Sequence, residues 1–552
     1  MTNSSLTAKG EHRVVTPLAA SAAAELRDHQ QGVRVIRDSL WNYTGQTVSA
    51  AVGLFTIPVL IRGLGAEGYG LWIATLAIAS LLGTFDLGLG WAVMRAVGRS
   101  TESGVTLETQ DFVCSVGNAF LLLGVASLVT MVALSGVLGL DLRLTSRGRS
   151  MVPAIFVLAG LFQLSDWISN YTSSVLGGLR RFDLTNLLGG AEAIGRAIGI
   201  VALVALGFPM AALVWIASWR LLLAVVAVVT IGHVEPHYRF RVARLRWRSV
   251  QPHLPFSLSS QITTALYTSL WQGPTLLISF LAGAAGLVPY HLGQKFPFLM
   301  RGTNHSGAEV VYAAAAADHD SQRCSQPAHI LIVGIRWNLM VALPACILLT
   351  VFAPELLRAW LGQVDTHAVI VMRVTAAAVL VDSSCMPAMY LLWARGAVRA
   401  IATTLGVAAV VVASVTLGLM GAFGVAAGAI ALLVGAIVFA TVFFTLAVKM
   451  CNLRPKQVAG VVRGFVLPTT VCACSGWILA QSIQPVCWIA LLACMAVAGG
   501  GFIGPYYLIG AGAEERKALQ GGLELLRHAA ESLYGRVPQV LARLQKSRGG
   551  VE

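Results

Sequence analysis

The chain has 552 residues, of which 56% are hydrophobic and 12% charged, and its mean hydropathy is +0.74. An ordinary soluble domain carries about 25% charged residues, so a soluble globular protein is excluded. At roughly 20 apolar residues per crossing, the chain accommodates more than ten membrane spans and no large extramembrane domain beside them. The net charge of +14 is not the footprint of a nucleic-acid-binding face, because the bases recur in short clusters between apolar runs, as cytoplasmic loops of membrane proteins do.

Residues 1–40 are polar and end in a basic stretch without the apolar core and cleavage site of a signal peptide; they form a cytoplasmic segment. Spans are predicted near 41–61, 70–92, 112–139, 151–176, 187–207 and 209–232, a first six-helix bundle over 41–232. A basic, Pro-containing linker at 233–255 follows. The second bundle, 256–448, has spans near 256–282, 285–304, 329–353, 367–393, 401–420 and 425–448, with 305–328 as a cytoplasmic extension of the eighth helix. Two further spans lie near 462–482 and 485–510. The expected fold is thus an all-α polytopic membrane protein of about 14 transmembrane helices. After residue 511, Leu519, Leu523, Leu526, Leu533, Val537 and Leu541 recur at helical spacing among bases, which predicts an amphipathic tail on the cytoplasmic leaflet.

Charge supports this map independently of hydropathy. With both ends in the cytoplasm, inside loops carry Arg34 and Arg37, Arg95 and Arg99, Arg180 and Arg181, the run Arg239 to Arg248, Arg395 and Arg399, and Lys449 to Arg463. Outside loops keep only Arg62, the group Arg143, Arg147 and Arg149, and Arg358. Most cysteines sit inside apolar runs and no C-x-x-C pair exists, so they read as small core residues; no metal site and no cofactor is expected.

An internal repeat is visible. A shift of 216 aligns Pro58, Leu60, Ala66, Gly70 and Leu71 with Pro274, Leu276, Ala282, Gly286 and Leu287. A shift of 218 aligns Gly178, Arg181, Thr185 and Leu187 with Gly396, Arg399, Thr403 and Leu405. Two halves in the same orientation, separated by an even number of spans, have the form of the parallel repeats of secondary transporters, and the last two helices fall outside the repeat.

At the first hairpin stand Gly65, Gly68, Tyr69, Gly70 and Leu71; at the end of the second helix stand Asp86, Leu87, Gly88, Leu89, Gly90 and Arg95. With LRRFDLTN at 179–186 and PFSLSSQ at 255–261, these stretches resemble the polysaccharide flippases of the multidrug/oligosaccharidyl-lipid/polysaccharide exporter superfamily. The long polar N-terminus and the extended tail depart from that pattern. The resemblance implies a non-enzymatic carrier that moves an undecaprenyl-pyrophosphate-linked oligosaccharide from the cytoplasmic to the periplasmic leaflet of a bacterial inner membrane, by alternating access between two six-helix bundles. It also implies glycosyltransferases and a polysaccharide polymerase as partners, alongside membrane lipids.

Ionisable residues inside spans mark function by default, because hydrocarbon penalises them by several kcal/mol. Arg220 and Lys295 fall near mid-membrane, Arg196, Arg301 and Arg336 toward the cytoplasmic half and Arg373 toward the outer half. A lumen lined by these bases suits a pyrophosphate. Structural alternatives stand beside that reading: Glu192 lies four residues before Arg196 and pairs with it on one helical face, and Arg301 and Arg336 can snorkel to the interface. Among the acids, Asp382 is the first candidate for coupling transport to a proton or sodium gradient, with Glu192 second; the alternative for Asp382 is a counter-charge for Arg373 or another buried base. Asp86 organises a helix end with Arg95. A multidrug exporter of the same superfamily, a membrane glycosyltransferase or polysaccharide ligase, and a membrane scaffold are the competing functions.

Overall fold

The structure is a computed structural model that describes residues 51–520, apart from residues 87, 139–143, 243–245, 252–253, 321–326, 454, 486, 513–514 and 517–519. The polar segment 1–40, the start of the first predicted span and most of the amphipathic tail lie outside the described residues. Within them the chain is helical without a strand, and twelve helical segments are long and apolar enough to cross a membrane.

Two of the twelve are too long for one crossing: Ala51–Asp86, with 36 residues, and Gln261–His305, with 45. Each contains a glycine with φ of +76°, Gly65 and Gly283, a left-handed conformation that a side chain disfavours. At Gly283 the chain turns back on itself, because Trp271 and Phe298 on either side of it stack edge to face at 5.5 Å and the Tyr267 hydroxyl lies 2.7 Å from His305 Nε2. Dividing each long segment at its glycine gives fourteen apolar helices, the number that hydropathy predicts. They are α1 (51–64), α2 (66–82), α4 (Leu107–Leu138), α5 (Ser146–Gly178), α6 (Phe182–Ala205), α7 (Pro209–Val234), α8 (254–282), α9 (284–320), α10 (Pro327–Val351), α12 (Thr366–Ala394), α13 (Val398–Phe423), α14 (Ala426–Met450), α15 (Pro455–Ile483) and α16 (Trp488–Pro505). Two short amphipathic helices, α3 (Leu89–Ser103) and α11 (Ala353–Leu361), complete the set. Helix α9 continues to Asp320, as the predicted extension requires.

The backbone repeats with the sequence. Left-handed residues recur in pairs 216 to 218 positions apart: Gly65 with Gly283, Arg180 with Gly396, and Gly207 with Gly424. At the α5–α6 turn, Arg180 N–H donates to Gly177 O and Arg181 N–H to Leu176 O; at the α12–α13 turn, Gly396 N–H donates to Trp393 O and Ala397 N–H to Leu392 O. These are the same Schellman-type closure. The equivalent of Gly396 is therefore Arg180 rather than Gly178, and the hairpin glycines set an offset of 218 where residue identities favoured 216. Backbone conformation decides the register here, because apolar identities match by chance.

The chain divides into two compact units, one holding residues 89–126 and 164–253, the other 60–88, 127–163 and everything from Leu254. In the first, Phe120 packs on Trp167 with ring centroids 5.4 Å apart, and small residues let helices approach: Gly117 lies under Tyr171 and Phe240, Gly124 against Leu164. The linker after α7 is held as well, because Asn118 Nδ2 donates to Arg241 O at 2.9 Å and the Tyr238 hydroxyl meets the Ser100 hydroxyl. In the second unit, Ala74, Ile278, Leu287, Tyr290, Val371, Ala426 and Ala429 form one buried cluster. Both hairpin turns meet beside it: Gly70 presses on the Ala284 carbonyl, where a Cβ would stand 1.8 Å from the oxygen. Gly293 approaches the Ala368 carbonyl and Gly428 the Tyr290 ring in the same way, which is how helices without a hydrophobic driving force in lipid come close enough to hold. Gly70→Ala must therefore separate α2 from the second hairpin. It is expected to destabilise the protein by about 1–3 kcal/mol, read as a lower thermal midpoint in detergent, whereas Gly53→Ala, with open space around its Cβ position, leaves the midpoint unchanged.

Candidate functional site

Within the first unit, charges that are far apart in sequence are brought together by α5, α6 and α7. Arg220 on α7 binds Asp166 on α5 through Nη2, and its Nη1 lies 3.5 Å from Glu192 Oε1 on α6. Arg196, one turn after Glu192, reaches the same oxygen with Nε at 3.0 Å. Two guanidiniums and two carboxylates thus form one neutral quartet, all four side chains partly accessible, from 14% for Glu192 to 33% for Asp166. The predicted i,i+4 pair of Glu192 and Arg196 forms, and it is half of a larger assembly. One turn before Arg220, Trp215 and Trp219 stack at 5.3 Å. Their ring N–H groups donate to Gly195 O and Ala191 O, so α7 is fastened to the α6 backbone beside the charges. Gly195 and Gly199 leave the space for those rings.

A second polar centre sits inside the other unit. Asp382, in the middle of α12, has no accessible surface. Its carboxylate accepts the Tyr267 hydroxyl at 2.9 and 3.1 Å and lies 3.4 Å from both Arg301 Nε and His305 Nε2. A phenol has one proton to donate. With that proton on Asp382, Arg301 Nε–H donates to the Tyr267 oxygen at 3.3 Å, and a His305 carrying its proton on Nε2 donates to the same oxygen. The Arg301 guanidinium lies over the faces of Trp271 at 4.1 Å and Tyr267 at 4.7 Å, a cation–π arrangement that leaves its side chain 19% accessible. Asn304 and Asn338 hold the next residue of α12, Ser383, by donating to its hydroxyl and its carbonyl. The counter-charge of Asp382 is Arg301; Arg373 instead donates to Thr350 O at 3.1 Å.

The other predicted bases separate from these centres. Arg336 on α10 pairs with Glu515 beyond α16, and Lys295 is half-buried on α9, one turn after His291. Of the motif residues, Gly65 makes the left-handed turn, Gly68 packs on Met151, and the Tyr69 hydroxyl bonds His291 Nδ1 at 3.2 Å. Asp86 Oδ1 accepts from the N–H of Gly88, itself left-handed. Gly90 lies against Ser174, and Arg95 is exposed on α3. Sequence reasoning missed Glu67 in the same motif. Its carboxylate accepts from the Thr145 hydroxyl at 2.6 Å and from the Thr145 backbone N–H, so it satisfies the orphan donors at the start of α5. It also missed Tyr267 and His305, whose polarity in an apolar run was the available signal. Among the described residues no group of His, Cys, Asp and Glu is arranged to hold a metal ion.

Comparison with known proteins agrees with this architecture. Residues 35–300 match the sequence model of the polysaccharide biosynthesis protein family. A putative O-antigen transporter of Shigella flexneri is 27% identical over 161 residues, which are 28% of this chain and 36% of that protein. The inward closed conformation of the lipid II flippase MurJ superposes with a TM-score of 0.67 at 12% identity, covering 86% of this chain and 99% of the other. An inward-facing multidrug resistance transporter of the MATE family and MOP superfamily follows at 0.57 and 16%, covering 74% and 94%. At these identities the superpositions establish the fold. The chain is a multi-pass membrane protein whose residues 35–300 are similar in sequence to the polysaccharide biosynthesis protein family, on a fold shared with MurJ and the MATE transporters.

Proposed function

We propose that this protein flips an undecaprenyl-pyrophosphate-linked oligosaccharide from the cytoplasmic to the periplasmic leaflet of a bacterial inner membrane, with both termini in the cytoplasm. The observation that supports this reading most is the quartet of Asp166, Glu192, Arg196 and Arg220 on three adjacent spans. A diphosphate linked to a sugar is rejected by hydrocarbon because its charge and hydration cannot be kept there. Guanidiniums already inside the spans replace that hydration with bidentate donors. At rest their charge is met by the two carboxylates, which keeps them compatible with their surroundings. When the diphosphate arrives, it takes over Arg220 and Arg196, and the carboxylates are left to water or protons.

Asp382 serves as the coupling site. A fully buried carboxylate bound to Tyr267, Arg301 and His305 changes its partners on protonation, so a proton gradient has a lever on α8, α9 and α12. Glycosyltransferases supply the substrate on the inner face and a polymerase consumes it on the outer.

Reconstitution in liposomes with a fluorescent undecaprenyl-pyrophosphate oligosaccharide tests the proposal by leaflet transfer. Arg220→Ala combined with Lys295→Ala is expected to slow transfer by about tenfold or more, the scale of a lost charge-assisted contact; unchanged transfer removes the role of these bases. Asp382→Asn keeps the shape of the side chain and removes its charge. It is expected to retain gradient-free exchange and to lose acceleration by an imposed pH gradient, and a variant as gradient-sensitive as the wild type removes Asp382 from coupling.

A further inference from the structure

Among the described residues, Arg196 and Arg220 pair with Glu192 and Asp166, and Arg301 with Asp382, acids that also lie within spans. Arg336 differs. It stands on α10 nine residues after Pro327, roughly 14 Å along the helix at 1.5 Å per residue, yet its acid is Glu515, beyond the last apolar helix. The pair is close: Nη2 donates to Oε2 at 2.9 Å, and Nε lies 2.6 Å from Oε1 without donating to it. The Tyr506 hydroxyl donates to Oε2 at 2.9 Å and the Gly512 N–H at 2.7 Å. Glu515 is 5% exposed.

This geometry is a built anion cradle. Tyr506 is wedged in a stack with Phe465 and Phe502, at 4.9 and 5.8 Å, which fixes its hydroxyl, and Arg336 is braced by the Gly510 carbonyl. A fork of two guanidinium N–H groups beside a fixed phenol is the donor pattern that a phosphate accepts. Glu515 enters it on a short lever: Gly512 and Glu515 begin a helical turn in which Arg516 N–H donates to Gly512 O, and the carboxylate folds back on the Gly512 N–H as the glutamate of a capping box does. Glu515 stands outside the apolar helices, whereas Asp166, Glu192 and Asp382 are each held within a span.

We propose that Arg336 and Tyr506 form a binding site for the phosphate of an anionic lipid headgroup, and that Glu515 occupies it as a displaceable internal counter-ion. Lipid phosphate and Glu515 compete for the same donors, so headgroup binding releases the Glu515 carboxylate from Arg336 and Tyr506, and Glu515 occupies those donors in the absence of such a lipid. The inference rests on the flippase reading only for its choice of lipid; the competition itself does not depend on transport.

Native mass spectrometry of the detergent-purified full chain tests it by titration with undecaprenyl phosphate, dioleoylphosphatidylglycerol and, as baseline, dioleoylphosphatidylcholine. Glu515→Gln is expected to bind at least one of the anionic lipids about tenfold more tightly than the wild type, the scale of a charge-assisted hydrogen bond, and Arg336→Gln in the same chain to abolish that gain. Preference for undecaprenyl phosphate identifies the lipid-linked substrate as source, and equal gain for phosphatidylglycerol identifies the bulk leaflet. No gain in Glu515→Gln, or a gain that survives Arg336→Gln, overturns the proposal and leaves the pair a structural tie. In the wild type, where folding is not at issue, undecaprenyl phosphate or phosphatidylglycerol is expected to speed amide exchange in residues 511–520; unchanged exchange with both lipids overturns it equally. Failed leaflet transfer with a positive binding gain would fault the flippase reading alone, and normal transfer without the gain would fault only this site.

Discussion

The free-energy cost of an ionised group in hydrocarbon is the constraint on which the rest of this structure depends. A lone guanidinium inside a span costs at least about 2.5–3.5 kcal/mol, and the described residues meet that cost with local partners. Asp166 and Glu192 neutralise Arg220 and Arg196, Asp382 neutralises Arg301 and Glu515 neutralises Arg336. Each pair determines which helices must lie side by side. Asp166 fixes α5 beside α7, Glu192 fixes α6 beside α7, and the Asp382 network fixes α8, α9 and α12. Small residues then allow the helices to reach those positions, because van der Waals packing must supply what hydrophobicity cannot between helices in lipid. Gly70 on Ala284, Gly293 on Ala368 and Gly195 under Trp219 are examples.

Neutral clusters are also what makes the charges usable. A base whose partner is permanent contributes only to architecture, while a base whose partner can be exchanged offers a site. The three clusters differ in how that exchange can occur. The quartet is partly accessible and held by three spans. The Asp382 centre is closed, and only the movement of a proton or of its helices alters it. Glu515 lies beyond the last apolar helix. The same ion-pair chemistry thus stands in three different settings, distinguished by what the carboxylate is attached to.

Much of the fold is legible from residues alone. Apolar runs about one bilayer in length must become helices, since every backbone polar group in lipid has to be satisfied within the segment. That is why fourteen predicted spans correspond to fourteen helical arms. The family motif was legible as a motif, and its chemistry was only half legible. Gly65 and Gly70 are required by a left-handed turn and a bare backbone contact, whereas Glu67 looks like an ordinary loop acid until Thr145 is placed against it. Repeat register was harder, because identities among Ala, Leu and Gly carry little information. The positions of left-handed backbone, Arg180 against Gly396, resolve it.

The sequence by itself determined the class of protein, the number of spans, the repeat and the inventory of charges that had to be explained. These follow from composition and local periodicity, properties that each segment possesses alone. Only the tertiary structure decided how those charges are shared. Arg301 rather than Arg373 answers Asp382, Arg220 joins two acids from two other helices, and Arg336 takes its acid from beyond the last span. The physical reason is that an ion pair depends on distance across helices, and the distance between Asp166 and Arg220, or between Arg336 and Glu515, is set by packing and has no trace in the local sequence of either partner.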